Sequence, residues 1–185
     1  MNGNENGNAP EALLLGGRAG VGKTTVGWEV SVLLRAAGVP HAVIEGDFMG
    51  QIHPAPDGDP RRSEITERNL TAVWANFAAT GCRRLIYTNT ASVLTETTGM
   101  FERALGPRTR ITRVLLTATD ATAHARLSGR ELGSELAHEL ASSARKARLL
   151  DRESHPETVR VATDDRSVIA IARDVVAATG WTGPS

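Results

Sequence analysis

The residues in this chain most able to do chemistry lie close to its N-terminus. The run Gly17-Arg18-Ala19-Gly20-Val21-Gly22-Lys23-Thr24 satisfies the pattern G-x-x-x-x-G-K-[ST] at every fixed position. Glycines at those sites let a backbone fold tightly enough for successive N–H groups to converge on phosphate oxygens. Gly17, Ala19, Gly20, Val21, Gly22 and Thr25 would form that cradle with their main chain. Lys23 would reach the outer phosphates, and the Thr24 hydroxyl would serve as a ligand to Mg²⁺. The implied chemistry is the holding of a nucleoside triphosphate, ATP by default. A chance match somewhere in a chain of this composition has a probability on the order of half a per cent. The chain has only two lysines, Lys23 and Lys146, against nineteen arginines. A lysine at this position is therefore informative in itself.

Further groups form a second set. Glu45-Gly46-Asp47 places two carboxylates just past an apolar run. Asp47 there can take a proton from an acceptor hydroxyl, or hold Mg²⁺ through water. Glu45 is either a partner behind it or the end of a strand. Arg126 and Arg130 stand four apart, on one face of a helix. Glu64, Arg68 and Thr71 share a face as well and, with Arg61, could line a polar substrate pocket; a solvated face is the other reading. His53, in a Pro-rich loop, is a candidate acceptor contact, and the other histidines suggest no partners.

The elements that must position these groups alternate. Apolar runs at 12–16, 42–45, 85–88, 111–116 and 158–162 read as strands. Between and after them come helical patterns at 24–37, from Ser63 to Gly81, at 96–105, from Asp120 through Arg126 and Arg130, at 134–150 and at 167–178. Ser63 and Asp120 are the expected caps of their helices. Leu70, Val73, Trp74 and Phe77 form one buried stripe. Leu136, Leu140, Ala144 and Ala147 form another, leaving Arg145 and Arg148 in solvent. Residues 46–60, rich in Gly, Pro and Asp, read as a long loop at the working edge. The expected fold is α/β: a five-stranded parallel sheet with helices on both faces and a small helical lid at about 126–140. Residues 1–10 read as a disordered leader and 11–185 as one domain.

Composition narrows the class. Basic and acidic residues number 21 each, so no global field points to nucleic acid or an anionic membrane. Cys82 is the single cysteine, which precludes a disulfide within the chain. No apolar run is long enough to span a bilayer, and the expectation is a soluble, cytoplasmic protein, monomeric or homodimeric.

The phosphate loop, the run Glu45-Gly46-Asp47-Phe48 after the second strand and the arginine-bearing helix after the fourth together resemble the P-loop small-metabolite kinases. That group includes adenylylsulfate kinase, gluconate kinase and chloramphenicol phosphotransferase. The adenylylsulfate kinases carry Asp-Gly-Asp-Asn where this chain has Phe48 at the last position. The resemblance implies transfer of a phosphoryl group from ATP to a hydroxyl of a small molecule, with antibiotics and other natural products among the acceptors. It implies Asp47 as base, Arg126 and Arg130 as lid groups that neutralise the moving phosphoryl group, and adenine recognition near 163–166. A nucleotide-type acceptor, a nucleoside monophosphate or adenylylsulfate, is the first alternative and should need several arginines around 61–68. A P-loop ATPase that regulates a protein partner is the second. The third strand ends Thr88-Asn89, without the acid that many such ATPases place there. No Asp-x-x-Gly follows it, and no Asn-Lys-x-Asp occurs to read guanine.

Overall fold

A computed structural model describes residues 9–129 and 136–183. Five strands, β1 (Glu11–Gly16), β2 (Ala42–Glu45), β3 (Arg84–Thr88), β4 (Arg110–Thr117) and β5 (Val159–Ala162), form one sheet in the order β2-β3-β1-β4-β5. Every pairing is parallel. Among the described residues six helices accompany them: α1 (Lys23–Ala36), α2 (Ser63–Ala79), α3 (Thr98–Leu105), α4 (Asp120–Ser128), α5 (Leu136–Glu153) and α6 (Val168–Thr179). The expected α/β architecture is the one observed.

The central strand shows why the sheet is covered on both sides. Leu13, Leu14 and Leu15 are all fully buried, as a strand sandwiched between two layers requires. Successive side chains point to opposite faces. Leu13 and Leu15 join Val26, Val30 and Leu34 of α1 and Ile171 and Val175 of α6. Ala12 and Leu14 join Leu70 and Trp74 of α2 and Phe101 of α3. Phe101 meets the Tyr87 ring edge-on, with centroids 5.1 Å apart. From β1 the chain passes to the β2/β3 half of the sheet, then crosses β1 to build the β4/β5 half. The crevice at the carboxyl end of β1 is therefore flanked by both halves, where open parallel sheets bind ligands.

Helix starts differ from expectation at two places. α2 is capped by Asp59, whose carboxylate accepts from the N–H groups of Ser63, Glu64 and Ile65 at 2.7, 2.9 and 3.1 Å. Arg62 takes a left-handed conformation (φ 58°) that turns the chain so Asp59 can reach in from four residues upstream. α4 is capped by Thr119, which accepts from the Thr122 N–H at 3.2 Å, and Asp120 is the first helical residue. On α5 the fully buried positions are Ser143 and Leu150, with Leu136, Leu140, Ala144 and Ala147 only half-buried. Arg145 and Arg148 are exposed, as expected. The 46–60 loop opens with a short 3₁₀ turn, Gly46–Phe48. Among the described residues no helix is long and apolar enough to cross a membrane.

Asp59 is almost fully buried while holding three helix N–H groups. Asp59→Ala leaves those donors without their acceptor and should lower the unfolding free energy by about 2 kcal/mol. Thermal melting should record a fall in Tm of roughly 4–8 °C.

Candidate active site

The loop between β1 and α1 takes its shape from backbone conformations that favour glycine: Gly17, Gly20 and Gly22 have φ of 149°, 88° and 92°. Gly20 has a second constraint, since a Cβ there would lie 2.7 Å from the Ala123 carbonyl oxygen of α4. Gly22 is the N-cap of α1, and no side chain caps that helix among the described residues. The positive end of the helix dipole lies there, a position that favours a negative charge.

Beside this loop opens a cavity of about 780 Å³. Its lining takes in Ala19, Gly20, Gly22, Lys23, Thr24 and Thr25 from the loop and first helical turn. Asp47 from the β2 exit and Arg126 from α4 join them. Gly17 and Val21 stand behind the cradle. A Cβ on Gly17 would meet the Leu116 carbonyl oxygen at 2.9 Å, and Val21 is buried in the core. Lys23 Nζ donates to the Arg18 carbonyl at 3.2 Å, folded along the loop.

Two groups at this cavity come from the ends of strands. The Glu45 carboxylate accepts from the Thr24 hydroxyl at 3.4 Å and from the Trp28 indole N–H at 3.1 Å. It faces the cavity and does not merely end its strand. Asp47 accepts from the Asn89 amide at 2.7 Å, and Asn89 in turn accepts from the Ala91 N–H. Asn89, not among the residues the sequence singles out, stands at the end of β3, where many P-loop ATPases place an acid, and lines the second cavity described below. Gly46 is what lets this turn lie against the sheet, because a Cβ there would come within 2.3 Å of the Tyr87 ring. Burial, and secondarily the Asp47 charge, push the Tyr87 phenol well above its ordinary pKa, so it stays protonated.

Arg126 is held by the far side of the cleft. Its guanidinium donates to the Thr163 hydroxyl at 3.0 Å, to the Thr163 carbonyl at 2.9 Å, and to the Gly20 and Val21 carbonyls at 3.4 Å. The helix carrying it is pinned at its start: Thr119 donates through its hydroxyl and N–H to Asp164. Bonds from Thr122 and then Thr119 hold the Asp164 carboxyl down to about 2. Thr163 is thus joined to the phosphate loop, whereas Arg166, just before α6, ion-pairs with Asp174 of that helix. Arg130 and the middle of the expected lid lie outside the described residues.

A second cavity, about 290 Å³, adjoins the first. Asp47 and Asn89 stand at one side, Arg61 and Arg62 at another, and Tyr87, Met100 and Phe101 give it an apolar wall. Asp47 lines both cavities. Of the groups expected on the acceptor side, Arg61 is here, but Arg68 lies on the exposed face of α2 and lines neither cavity. His53 is exposed in its loop and also lines neither. Glu64 is exposed and, with Arg61, lines a separate cavity of about 340 Å³ between α2 and α3.

No family model matches the chain, and no curated protein matches it by sequence. Solved structures do match in shape. A tunicamycin resistance protein from Deinococcus radiodurans aligns over 93% of this chain and 96% of its own, with a TM-score of 0.61 and 17% identity. A gluconokinase from Sinorhizobium meliloti aligns over 92% of both chains at a TM-score of 0.59 and 18% identity. The APS kinase of Mycobacterium tuberculosis, solved with AMPPNP and APS, aligns over 92% of this chain and 97% of its own at 0.57 and 17%. The chain has the P-loop kinase fold. The similarity spans nearly the whole length of each of these structures.

Proposed function

We propose that the protein is an ATP- and Mg²⁺-dependent phosphotransferase that moves the γ-phosphoryl group onto a hydroxyl of a small molecule. One observation carries this reading above the others. Asp47 lies on the wall common to the phosphate-loop cavity and its smaller neighbour, where a base between donor and acceptor would have to stand.

In this reading the loop backbone, Lys23 and the N-terminus of α1 grip the triphosphate, and Arg126 sits against it beside Thr163. Thr24 and Glu45, bonded to each other, present hard oxygens to one cavity, which suits Mg²⁺. Bound there, Mg²⁺ supplies charge neutralisation on the phosphate oxygens. Asp47, steadied by Asn89, accepts the proton of the acceptor hydroxyl as its oxygen attacks. Arg130 remains a lid candidate by its four-residue spacing from Arg126.

The smaller cavity describes the acceptor. At about 290 Å³ it lies just below the usual range for small-molecule sites, roughly 300–1,000 Å³, which favours a compact acceptor over a nucleotide. Its apolar wall suits a ring, and Arg61 and Arg62 suit a polar or anionic substituent. Natural products and antibiotics with a ring-borne hydroxyl meet that description.

The test is ADP release with ATP and Mg²⁺ across a panel of sugar acids, hydroxylated antibiotics, nucleosides and nucleotides. Release that depends on one acceptor class, and falls severalfold for Arg61→Ala through a raised KM, is the expected result. Release independent of any acceptor would replace the kinase by an ATPase with a protein partner. Dependence on nucleotides alone would establish the nucleotide-type acceptor.

A further inference from the structure

The chain's second lysine lies in the first cavity. Lys146, on α5, lines the same space as Lys23, so both lysines of a protein with nineteen arginines face one cleft. Nothing in the local sequence around Lys146 marks it. What places it is a junction between α5 and the back of the phosphate loop.

Arg18, at a variable position of the loop motif, is buried. Its Nε donates to the Ser143 hydroxyl at 2.8 Å, and its Nη1 is paired with Asp120 at the start of α4. Ser143 passes the connection on, donating to the Ala19 carbonyl at 2.9 Å. The middle of α5 is therefore bonded to two consecutive residues of the phosphate loop. Glu139, Ser143 and Lys146 are spaced i, i+4, i+7, one stripe of the helix. Glu139 and Lys146 line the cavity on either side of the buried Ser143. The Lys146 ammonium is exposed and makes no hydrogen bond or ion pair with the described residues.

We propose that Lys146 is a second cationic contact for the γ-phosphoryl group, carried by α5, and that Arg18 and Ser143 are positioning residues that fix α5 to the phosphate loop. This rests on the phosphotransferase reading above. In the step itself the acceptor oxygen forms its bond to the γ-phosphorus while the bond from that phosphorus to the β,γ-bridging oxygen breaks. ADP leaves with that electron pair, and the acceptor proton passes to Asp47. Charge spread over the three γ-oxygens during the exchange is what a flexible ammonium with three rotatable donors can follow.

The test uses the full chain and compares ATP with ADP. Titration calorimetry with Mg²⁺ should show Lys146→Ala binding ATP on the order of tenfold more weakly, with ADP affinity within about twofold of the parent. Lys146→Arg should restore part of the ATP preference, and thermal melting should be unchanged because the side chain is exposed. An unaltered ATP-to-ADP ratio in Lys146→Ala overturns the role of Lys146 and leaves the phosphotransferase reading intact. A parent protein that binds no ATP overturns both. For the positioning residues the readout is a double-mutant cycle. Ser143→Ala should weaken ATP binding less than additively when combined with Lys146→Ala, because one acts through the other. Additive losses would show that the Ser143 junction serves folding alone.

Discussion

Lys23→Ala will lower ATP turnover by a factor on the order of 10²–10³ while leaving the fold in place. The expectation follows from what holds the loop. Its shape is set by the positive φ at Gly17, Gly20 and Gly22 and by the close approach of Gly20 to α4. Lys23 adds a bond to the Arg18 carbonyl at 3.2 Å, which a bound phosphate would displace. Removing the side chain therefore takes away a cation at the phosphate-loop cavity without a packing contribution to the core. Lys23→Arg should rescue little, because a planar guanidinium is larger and less able to turn within a closed backbone cradle. The check is steady-state ADP release beside a thermal melt. Lost turnover with an unchanged Tm is the expected pair, and retained turnover would detach the loop from catalysis.

How far such a site can be read from sequence depends on whether the contacts are local. The phosphate loop was legible because its motif encodes a continuous stretch of backbone. The sheet was legible because runs such as Leu13-Leu14-Leu15 can be buried on both faces in only a few ways. The place of Asp47 at the cavity beside the loop was legible from its position just past β2. The junction between Arg18 and Ser143 joins residues 125 apart in sequence, and that between Arg18 and Asp120 joins residues 102 apart. No periodicity announces either. The cap of α2 failed for a subtler reason. Ser63 is a good capping residue, but the left-handed turn at Arg62 lets the Asp59 side chain accept from three N–H groups instead. At α4, Thr119 and Asp120 are adjacent capping types, and the structure uses the first. Arg68 shows the remaining limit: periodicity identifies a polar face of α2, but which cavity that face meets is set by tertiary packing.

Asp47→Asn separates the two roles a carboxylate can have at this position. The substitution is nearly isosteric, and the remaining side-chain oxygen can still accept from the Asn89 amide, now 2.7 Å away. Geometry is retained, and the negative charge and proton affinity are lost. If Asp47 takes the acceptor proton, acceptor-dependent ADP release should fall by roughly 10²–10⁴, with ATP affinity and the Mg²⁺ requirement unchanged. If its main part is to orient Mg²⁺, half-saturation by Mg²⁺ should move to higher concentration and excess Mg²⁺ should recover activity. Glu45→Gln supplies the comparison, because Glu45 borders the same cavity and bonds Thr24, but lines only the phosphate side. A base at Asp47 predicts that Glu45→Gln shifts the Mg²⁺ dependence and Asp47→Asn does not. Equal shifts in both variants would make the two carboxylates a shared support for the metal and leave proton transfer to solvent or to the phosphate itself. Activity unaltered in Asp47→Asn would mean that the wall between the two cavities holds no base, and the phosphotransferase reading would lose the observation that carries it.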